Sequence, residues 1–285
     1  MKLAHKVLKL SAGDLSRFVT LRNRLSDATF NITDTPFLGW DKFSQAEFEY
    51  TLYHVEPPEH LFVFGSSWQV LNTAVSISFG GTVSPTADGF QLSELLAQQA
   101  VLLHGAIVVC GGVIGVDMAA HLGALDVKGQ TVAVLANPVT LGLHPYETKR
   151  YFLEDSILQQ GGLFVSEYDS PSDNRNERLL QRDRIITALS DIFVAVECSK
   201  DSATVDSAKR AKIQGKKVLV VDWSKILHTW HEPKSSGASQ LMQEKVAESF
   251  PSMPVSNIGD PRLLQEFNEL ITDCIVRTVG STKCL

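Results

Sequence analysis

The chain has 285 residues, of which 44% are hydrophobic and 20% charged, and its formal net charge is −6 at pH 7. This composition is typical of a globular protein with a sizeable core, organised as one large domain or one domain with appendages. The negative charge excludes a surface that attracts nucleic acid everywhere, so any anion site must be local.

Neither the cysteines nor the apolar runs indicate a metal site or a membrane protein. The four cysteines are scattered without a C-x-x-C pair, so no zinc pattern exists, and we expect Cys110 and Cys198 to be buried reduced thiols. The N-terminal stretch MKLAHKVLKLSAGDL has too few apolar residues for a signal peptide, and no run of the chain is long and apolar enough to span a bilayer. We therefore expect a cytoplasmic protein.

The chain begins with a segment, residues 1–58, that we expect to be a helical N-terminal region. The stretch SAGDLSRFVTLRNRL, residues 11–25, has helical spacing, and Ser11 or Asp14 could cap the helix. The stretch ITDTPFLGWDKFSQAEFEY could hold a second helix.

From residue 59 to residue 223, short apolar runs alternate with segments of helical spacing. The runs are rich in Val and Ile and lack polar alternation, which is typical of strands buried on both faces. They lie at residues 61–65, 74–79, 106–110, 131–136, 163–167, 192–197 and 217–222. The helices are expected at residues 89–104, 117–127, 147–160, 176–190 and 204–215.

This alternation predicts an α/β, Rossmann-like domain over residues 59–223, doubly wound around a mostly parallel sheet. The first two runs are too close for a helical crossover, so we expect a short connection between them and one strand near an edge. Residues 224–285 are expected to form a C-terminal extension, with a mobile loop at KSSGAS, residues 234–239, and a final helix after Pro261.

The stretch CGGVIGVDMAAHLGAL, residues 110–125, joins a strand to a helix through a turn rich in glycine. Ligands of parallel α/β sheets collect at such junctions, where helix N–H groups are unpaired and glycines let an anion approach. The turn is neither a dinucleotide fingerprint nor a P-loop, and it could also bind nothing. Asp117 and His121 share one helix face; capping by Asp117 and packing of His121 against the sheet compete with catalysis. No nucleophile or metal accompanies them, so we expect no enzymatic activity.

Two further stretches offer polar groups at strand ends. The turn SFGGTVSPTADG, residues 78–89, supplies N–H and hydroxyl donors, and CSKDSATVDSAKRAK, residues 198–212, supplies Ser202, Thr204 and Ser207. Arg182 and Arg184 lie before an apolar helical stretch, where the helix dipole disfavours cations. They therefore suggest an anionic partner, although ion pairs with Glu167 or Asp183 would explain them equally well.

Taken together, these junctions resemble the DprA/Smf family of DNA-processing proteins over Glu59 to Trp223. GGTVSPTADG lies where that family has G-S-R-x-x-S-x-Y-G, and CGGVIGVDMAAHLGAL resembles S-G-x-A-x-G-I-D-x-x-A-H-x-x-A-L. TVAVLANPVTLGLHPYETK, GGLFVSE, RDRII and VECSKDSATVDSA follow in the order and spacing of the family's remaining motifs.

The resemblance implies a protein that binds single-stranded DNA and helps to load a RecA-type recombinase during DNA uptake and recombination. It implies a homodimer, no cofactor and no metal. It also implies that glycine turns and nearby polar side chains hold the DNA phosphates. Because they lie at predicted strand ends or helix starts on one rim of the sheet, we expect nine residues to surround one cavity: Gly80, Gly81, Thr82, Gly111, Gly112, Gly115, Asp117, Arg182 and Arg184. The implied site comprises Gly80, Gly81, Thr82, Ser84, Gly111, Gly112, Gly115, Asp117, His121, Lys149, Glu167, Arg182, Arg184, Ser202 and Thr204.

The sequence also departs from the family pattern at the implied site. Thr82 and Ile114 stand where the family has arginines, and Asp183 replaces the asparagine of R-N-R. Two alternatives therefore stay open, a module that binds or hydrolyses a small nucleotide and an adaptor that binds only proteins. If the chain binds DNA, we expect weak binding, with Tyr146 and Tyr151 as candidate platforms for bases.

Overall fold

The computed structural model describes residues 7–19, 21, 56–65, 67–73, 75–143, 150–172 and 175–282. Within these ranges a nine-stranded sheet forms the centre of the molecule. Its strands are β1 Val7–Ser11, β2 His60–Gly65, β3 Ser76–Gly80, β4 Ile107–Cys110, β5 Thr131–Val134, β6 Leu163–Ser166, β7 Ile192–Ala195, β8 Lys217–Val221 and β9 Glu248–Phe250. The helices are α1 Val70–Thr73, α2 Ala87–His104, α3 Val116–Asp126, α4 Arg150–Gln159, α5 Arg175–Leu189, α6 Ala203–Ile213, α7 Ser236–Gln243 and α8 Pro261–Thr282.

The strand order is β1-β2-β6-β5-β4-β3-β7-β8-β9. The seven strands from β6 to β9 in this order are parallel, and β1 and β2 pair antiparallel at one edge. The chain winds outward from β3 through β4, β5 and β6, and then crosses to the other side of β3 to form β7, β8 and β9. The strands β3 and β7 therefore flank the point where the winding direction reverses, which is where open α/β sheets bind their ligands.

Buried strands and helices on both faces confirm the doubly wound α/β prediction. Alternate residues of β4 enter opposite cores: Val108 packs with α2, α3 and α8 on one face, whereas Val109 packs with α5 on the other. Helix α4 joins the first face, and α6 and α7 join the second. Because both faces are covered, these strands carry continuous apolar runs, as the sequence predicted.

The regions outside residues 59–223 take part in the same sheet. In the N-terminal region, Val7–Ser11 form a strand that pairs with β2. The helical prediction is therefore wrong for these residues, and Ser11 ends a strand instead of capping a helix. Most of residues 1–58 lie outside the described ranges. The predicted extension contributes β9, which pairs with β8, and α8, which packs on α2.

The stretch KSSGAS is not a loop throughout, because α7 begins at Ser236. Gly237 permits this helix to pack closely, since a Cβ there would lie 2.6 Å from the Cys198 sulfur. In the part of the chain that the structure describes, no helix has the length and apolarity needed to cross a membrane.

Candidate functional site

A cavity of about 370 Å³ opens at the carboxyl ends of β3 and β7, where the winding of the sheet reverses. Most of its walls are apolar, and the exposed side chains of Val83, Ile114 and Leu180 surround its mouth. Its full lining is Phe79, Gly80, Gly81, Val83, Val113, Ile114, Asp117, Leu179, Leu180, Arg182, Asp183, Ile186, Thr187, Phe193, Ala203, Thr204 and Ser207.

The two glycine turns contact each other at one side of this cavity. Gly115 directly precedes α3 and has a φ of 96°, and a Cβ there would lie 2.3 Å from the carbonyl oxygen of Thr82. The next residue, Val116, donates its N–H to that same oxygen at 3.3 Å. A glycine at position 115 is therefore required both by the backbone conformation and by the approach of the neighbouring turn.

Asp117 closes the second turn rather than capping its own helix. The N-cap position of α3 is Gly115, and Asp117 instead accepts the N–H of Gly111 at 2.8 Å. Burial raises the pKa of Asp117 to about 6, against the lowering effect of Arg182, and the nearby Asp183 raises it further. The predicted capping role is therefore wrong, because the carboxylate reaches back to the strand end.

Arg182 lies at the floor of the cavity with its charge already compensated. Its side chain is only 5% exposed, its Nη1 donates to the carbonyl of Val134 at 2.9 Å, and its Nε lies 2.8 Å from Asp183 Oδ1. The guanidinium covers Gly111, where a Cβ would lie 1.7 Å from Nη1. Burial raises the pKa of Asp183, against the lowering effect of Arg182. The floor thus combines one guanidinium with the two carboxyl groups of Asp117 and Asp183.

The structure does not bring Arg184 into the cavity. Both of its terminal nitrogens donate to the Glu167 carboxylate, at 2.9 and 2.7 Å, and neither residue lines the cavity. The ion-pair interpretation of the sequence therefore holds for Arg184 and Glu167, and the shared-cavity interpretation does not.

His121 is a buried core residue away from the cavity lining. Its Nδ1 lies 2.6 Å from Thr131 Oγ1, and this hydroxyl donates to the carbonyl of Val108 at 2.8 Å. Because the hydroxyl proton is used, Nδ1 must be the donor to Thr131. Burial lowers the pKa of His121 to about 3, so the ring is neutral and serves packing.

The other predicted site residues divide between the cavity and its surroundings. Gly80, Gly81, Asp117, Arg182 and Thr204 line the cavity, Thr82 adjoins it, and Gly111 and Gly115 support its turns. Ser202 is the N-cap residue of α6, and Ser84 is exposed beyond the first turn. Gly112 packs against Leu143. Lys149 and Tyr146, and the side chain of Tyr151, lie outside the described residues.

Internal acceptors occupy several N–H groups that the sequence suggested for an anion. The N–H of Thr82 donates to the carbonyl of Glu197 at 2.8 Å, and the N–H of Thr86 donates to the Glu197 carboxylate at 3.0 Å. The N–H of Gly111 is held by Asp117. An anion at the cavity therefore depends on side chains more than on the backbone of these turns.

Two residues of the C-terminal region lie at this edge of the sheet and escaped the sequence analysis. Lys234 donates its ammonium to Thr82 Oγ1 at 3.2 Å and to the carbonyl of Ser84 at 2.9 Å. The side chain of Trp230 is 83% exposed, and its backbone N–H donates to the carboxylate of Asp88 in the first turn of α2. The signal that could have revealed them is a tryptophan and a lysine in a polar segment directly after a core strand.

The comparisons with known proteins agree on one family. The family model described as DNA recombination-mediator protein A matches residues 42–256. The DNA processing protein DprA of Bacillus subtilis is 26% identical over 209 residues, which cover 71% of this chain and 67% of that protein. The putative DNA processing protein DprA of Mycobacterium tuberculosis is 36% identical over 141 residues, which cover 50% of this chain and 35% of that protein.

A solved structure of DNA processing protein A from Helicobacter pylori, described for its single-stranded DNA binding mode, is also similar. It matches with a TM-score of 0.59 and 25% identity, over 76% of this chain and 89% of that one. The chain thus spans most of that structure, about two thirds of the Bacillus relative and about a third of the Mycobacterium relative.

Proposed function

Because the chain belongs to the DNA recombination-mediator protein A family, we propose that it binds single-stranded DNA and acts in DNA uptake and recombination. The binding surface is the carboxyl edge of the sheet, around the cavity between β3 and β7. The observation that carries this proposal is that the family match, residues 42–256, includes every residue that lines the cavity.

The chemistry of the cavity fits a base better than a phosphate. Its mouth is apolar and its floor carries two carboxyl groups beside one guanidinium. Bases offer apolar faces and hydrogen-bonding edges, and single strands leave them unpaired. We therefore propose that bases of the strand enter the cavity while the phosphates stay at its rim.

A charge placed at the mouth of the cavity tests this proposal. Val83→Glu adds a carboxylate at an exposed position of the mouth, and Leu102→Glu adds the same charge at an exposed position near the C-terminal end of α2, by the opposite edge of the sheet. In titrations with a labelled single-stranded oligonucleotide, we expect Val83→Glu to weaken binding and Leu102→Glu to bind as the wild type does. Equal affinities of the two variants would refute the proposed site. A wild type that does not bind the oligonucleotide even at low salt would refute the proposed function.

A small nucleotide is the second candidate ligand, favoured by the size of the cavity. A volume of about 370 Å³ lies within the range of small-molecule sites. Free nucleotides added as competitors in the same titration separate the two ligands. A nucleotide that raises the melting temperature in the absence of DNA would support the second candidate, because a ligand that binds only the folded state stabilises it.

The family membership alone supports our proposals for two partners and for the location. We propose that a RecA-type recombinase and a second copy of the chain are partners, and that the protein acts in the cytoplasm. Sedimentation of the purified protein tests the homodimer, and co-sedimentation with the recombinase on an oligonucleotide tests the loading role.

A further inference from the structure

The irregular segment from Trp230 to Lys234, which follows the core strand β8, presents an aromatic ring and a cation at the carboxyl edge of the sheet. We propose that Trp230 stacks on a base and that Lys234 contacts a backbone phosphate of the same single strand. This inference rests on the proposed function and assigns part of the binding surface to the C-terminal region.

The fold holds this segment in place at both of its ends. The N–H of Trp230 donates to Asp88, a buried residue in the first turn of α2. The N–H of Lys234 donates to Glu197 Oε1 at 3.1 Å, and its carbonyl accepts the N–H of Cys198 at 2.8 Å. The segment is therefore attached to the strand ends that form the cavity.

The Trp230 side chain makes little contact with the part of the chain that the structure describes. It is 83% exposed, whereas Trp223, seven residues earlier, is buried and donates its indole N–H to the carbonyl of Val196. An exposed indole ring on an anchored segment offers a flat apolar face on which a base can stack without a change in the fold. Base stacking on an aromatic side chain contributes roughly 1–3 kcal/mol and is tolerant of sequence.

Lys234 differs from the two arginines that the sequence predicted for the site. Arg182 is paired with Asp183 and Arg184 with Glu167, whereas both described acceptors of the Lys234 ammonium, Thr82 Oγ1 and the Ser84 carbonyl, are uncharged. An ammonium has three N–H donors, so one remains for a phosphate oxygen. The lysine also places a positive charge beside Thr82, where the sequence pattern of the family has an arginine.

The combination with a cation favours a nucleic acid over a protein partner for Trp230. The ring and the ammonium are four residues apart on one anchored segment, which suits the alternation of bases and phosphates along a strand. Glu232 lies exposed between them, so the segment carries no net charge. The segment therefore binds DNA through direct contacts, and its charge does not attract the strand over long distances.

Titration of the full chain with a short oligonucleotide, read by tryptophan fluorescence and by anisotropy of the labelled DNA, tests the tryptophan. We expect Trp230→Ala to bind roughly tenfold more weakly. In the wild type we expect a base stacked on Trp230 to quench its fluorescence. Trp230→Phe should keep most of the affinity, because phenylalanine also stacks on bases, and it should lose this quenching, because the fluorescent indole ring is gone. Leu102→Ala, which removes another exposed apolar side chain, is the matched control and should bind as the wild type does.

The salt dependence of the same titration tests the lysine. Lys234→Ala should lower the slope of log affinity against log salt by about 0.7, the value for one phosphate on a single strand. Lys234→Arg should restore it. Lys128→Ala removes the same charge from an exposed turn that precedes β5, at the amino edge of the sheet and away from the cavity. This variant should leave the slope unchanged.

The outcomes separate this inference from the proposed function. If the wild type binds DNA while Trp230→Ala and Lys234→Ala keep its affinity and slope, the inference is wrong and the function stands. If the wild type does not bind, both are wrong. Thermal melting of each variant checks folding, and the phenylalanine and arginine variants decide the result if an alanine variant unfolds.

Discussion

Asp117 should make the stability of the protein fall as the pH rises, and replacing it with asparagine should remove that dependence. The side chain is half-buried at the cavity and its pKa is raised from 3.8 to about 6. Between these two values the folded state holds a proton on Asp117 that the unfolded state has lost. The folded state therefore binds more protons in this window, and the free energy of unfolding decreases as the pH increases through it.

The size of the effect follows from the same values. A pKa raised from 3.8 to about 6 corresponds to at most about 3 kcal/mol, at 1.36 kcal/mol per pH unit. Water entering the cavity would reduce this figure. The destabilising effect is absent below pH 3.8, grows between pH 3.8 and 6, and is complete above pH 6. An asparagine side chain at this position cannot ionise, so the free energy of unfolding of the Asp117→Asn protein does not decrease in this way as the pH rises.

The assay is urea unfolding of the wild type and of Asp117→Asn at several pH values from about 4 to 7.5, a range that spans the window of pKa values given by linkage. The variant should gain up to about 3 kcal/mol relative to the wild type across this range. Its weaker hydrogen bond to the N–H of Gly111 adds an offset that does not depend on pH, so the slope of the difference is the test. Asp206→Asn, at an exposed position in the first turn of α6, is the matched control. Parallel curves for the wild type and Asp117→Asn would refute the reasoning.

Three further substitutions have defined outcomes. Asp183→Asn removes a negative charge from the cavity floor and should raise the affinity for a single-stranded oligonucleotide up to about fivefold. Anisotropy of the labelled oligonucleotide measures this affinity, and weaker binding would contradict the prediction. Arg184→Ala leaves Glu167 without its ion pair and should lower the free energy of unfolding by about 2 kcal/mol, while oligonucleotide affinity, measured on the folded variant, stays the same. Glu197→Gln replaces a fully buried carboxylate that accepts two backbone N–H groups and one hydroxyl, and it should cost about 2 kcal/mol in a urea titration; an unchanged midpoint would show that the glutamine amide serves equally well.

The central sheet could be predicted because its strands are buried on both faces and its helices follow them in strict alternation. The helix expected at 117–127 is found at Val116–Asp126, and the one expected at 204–215 is found at Ala203–Ile213. The family motifs were readable for the same reason, since each falls at a junction between a strand and a helix. The family match confirms the resemblance.

The edges of the fold were harder to predict because tertiary contacts decide them. In the strand Val7–Ser11 only Leu10 is buried, so the run has neither a continuous apolar core pattern nor a clear alternation. Helix α7 begins within KSSGAS, whose composition is that of a loop, and close packing of Gly237 on Cys198 holds it there.

The composition of the site was predictable only in part. Gly81, Asp117, Arg182 and Thr204 do share one cavity, because all four follow or face strand ends at one edge of the sheet. The pairing of Arg184 was left open, since a charge pattern along the chain cannot distinguish an ion pair from a ligand contact. The contact of Lys234 with Thr82 spans 152 residues of sequence, so a lysine in a polar segment after a core strand does not indicate which turn its side chain reaches.

The positive charge at the cavity rim has a different source from the one that the family pattern suggests. The turn after β3 carries Thr82 instead of an arginine, and the N–H groups of Thr82, Thr86 and Gly111 are occupied by internal acceptors. A phosphate therefore gains little from the backbone of these turns, and the ammonium that lies against Thr82 comes from the far end of the domain. Since the backbone N–H of Lys234 donates to the buried carboxylate of Glu197, the C-terminal region belongs to the site as well as to the sheet. A deletion that removed residues 224–285 would consequently disrupt β9 and the rim together, and its loss of DNA binding could not be attributed to either alone. Point substitutions at Trp230 and Lys234 avoid this ambiguity, because they leave the backbone hydrogen bonds of the segment intact.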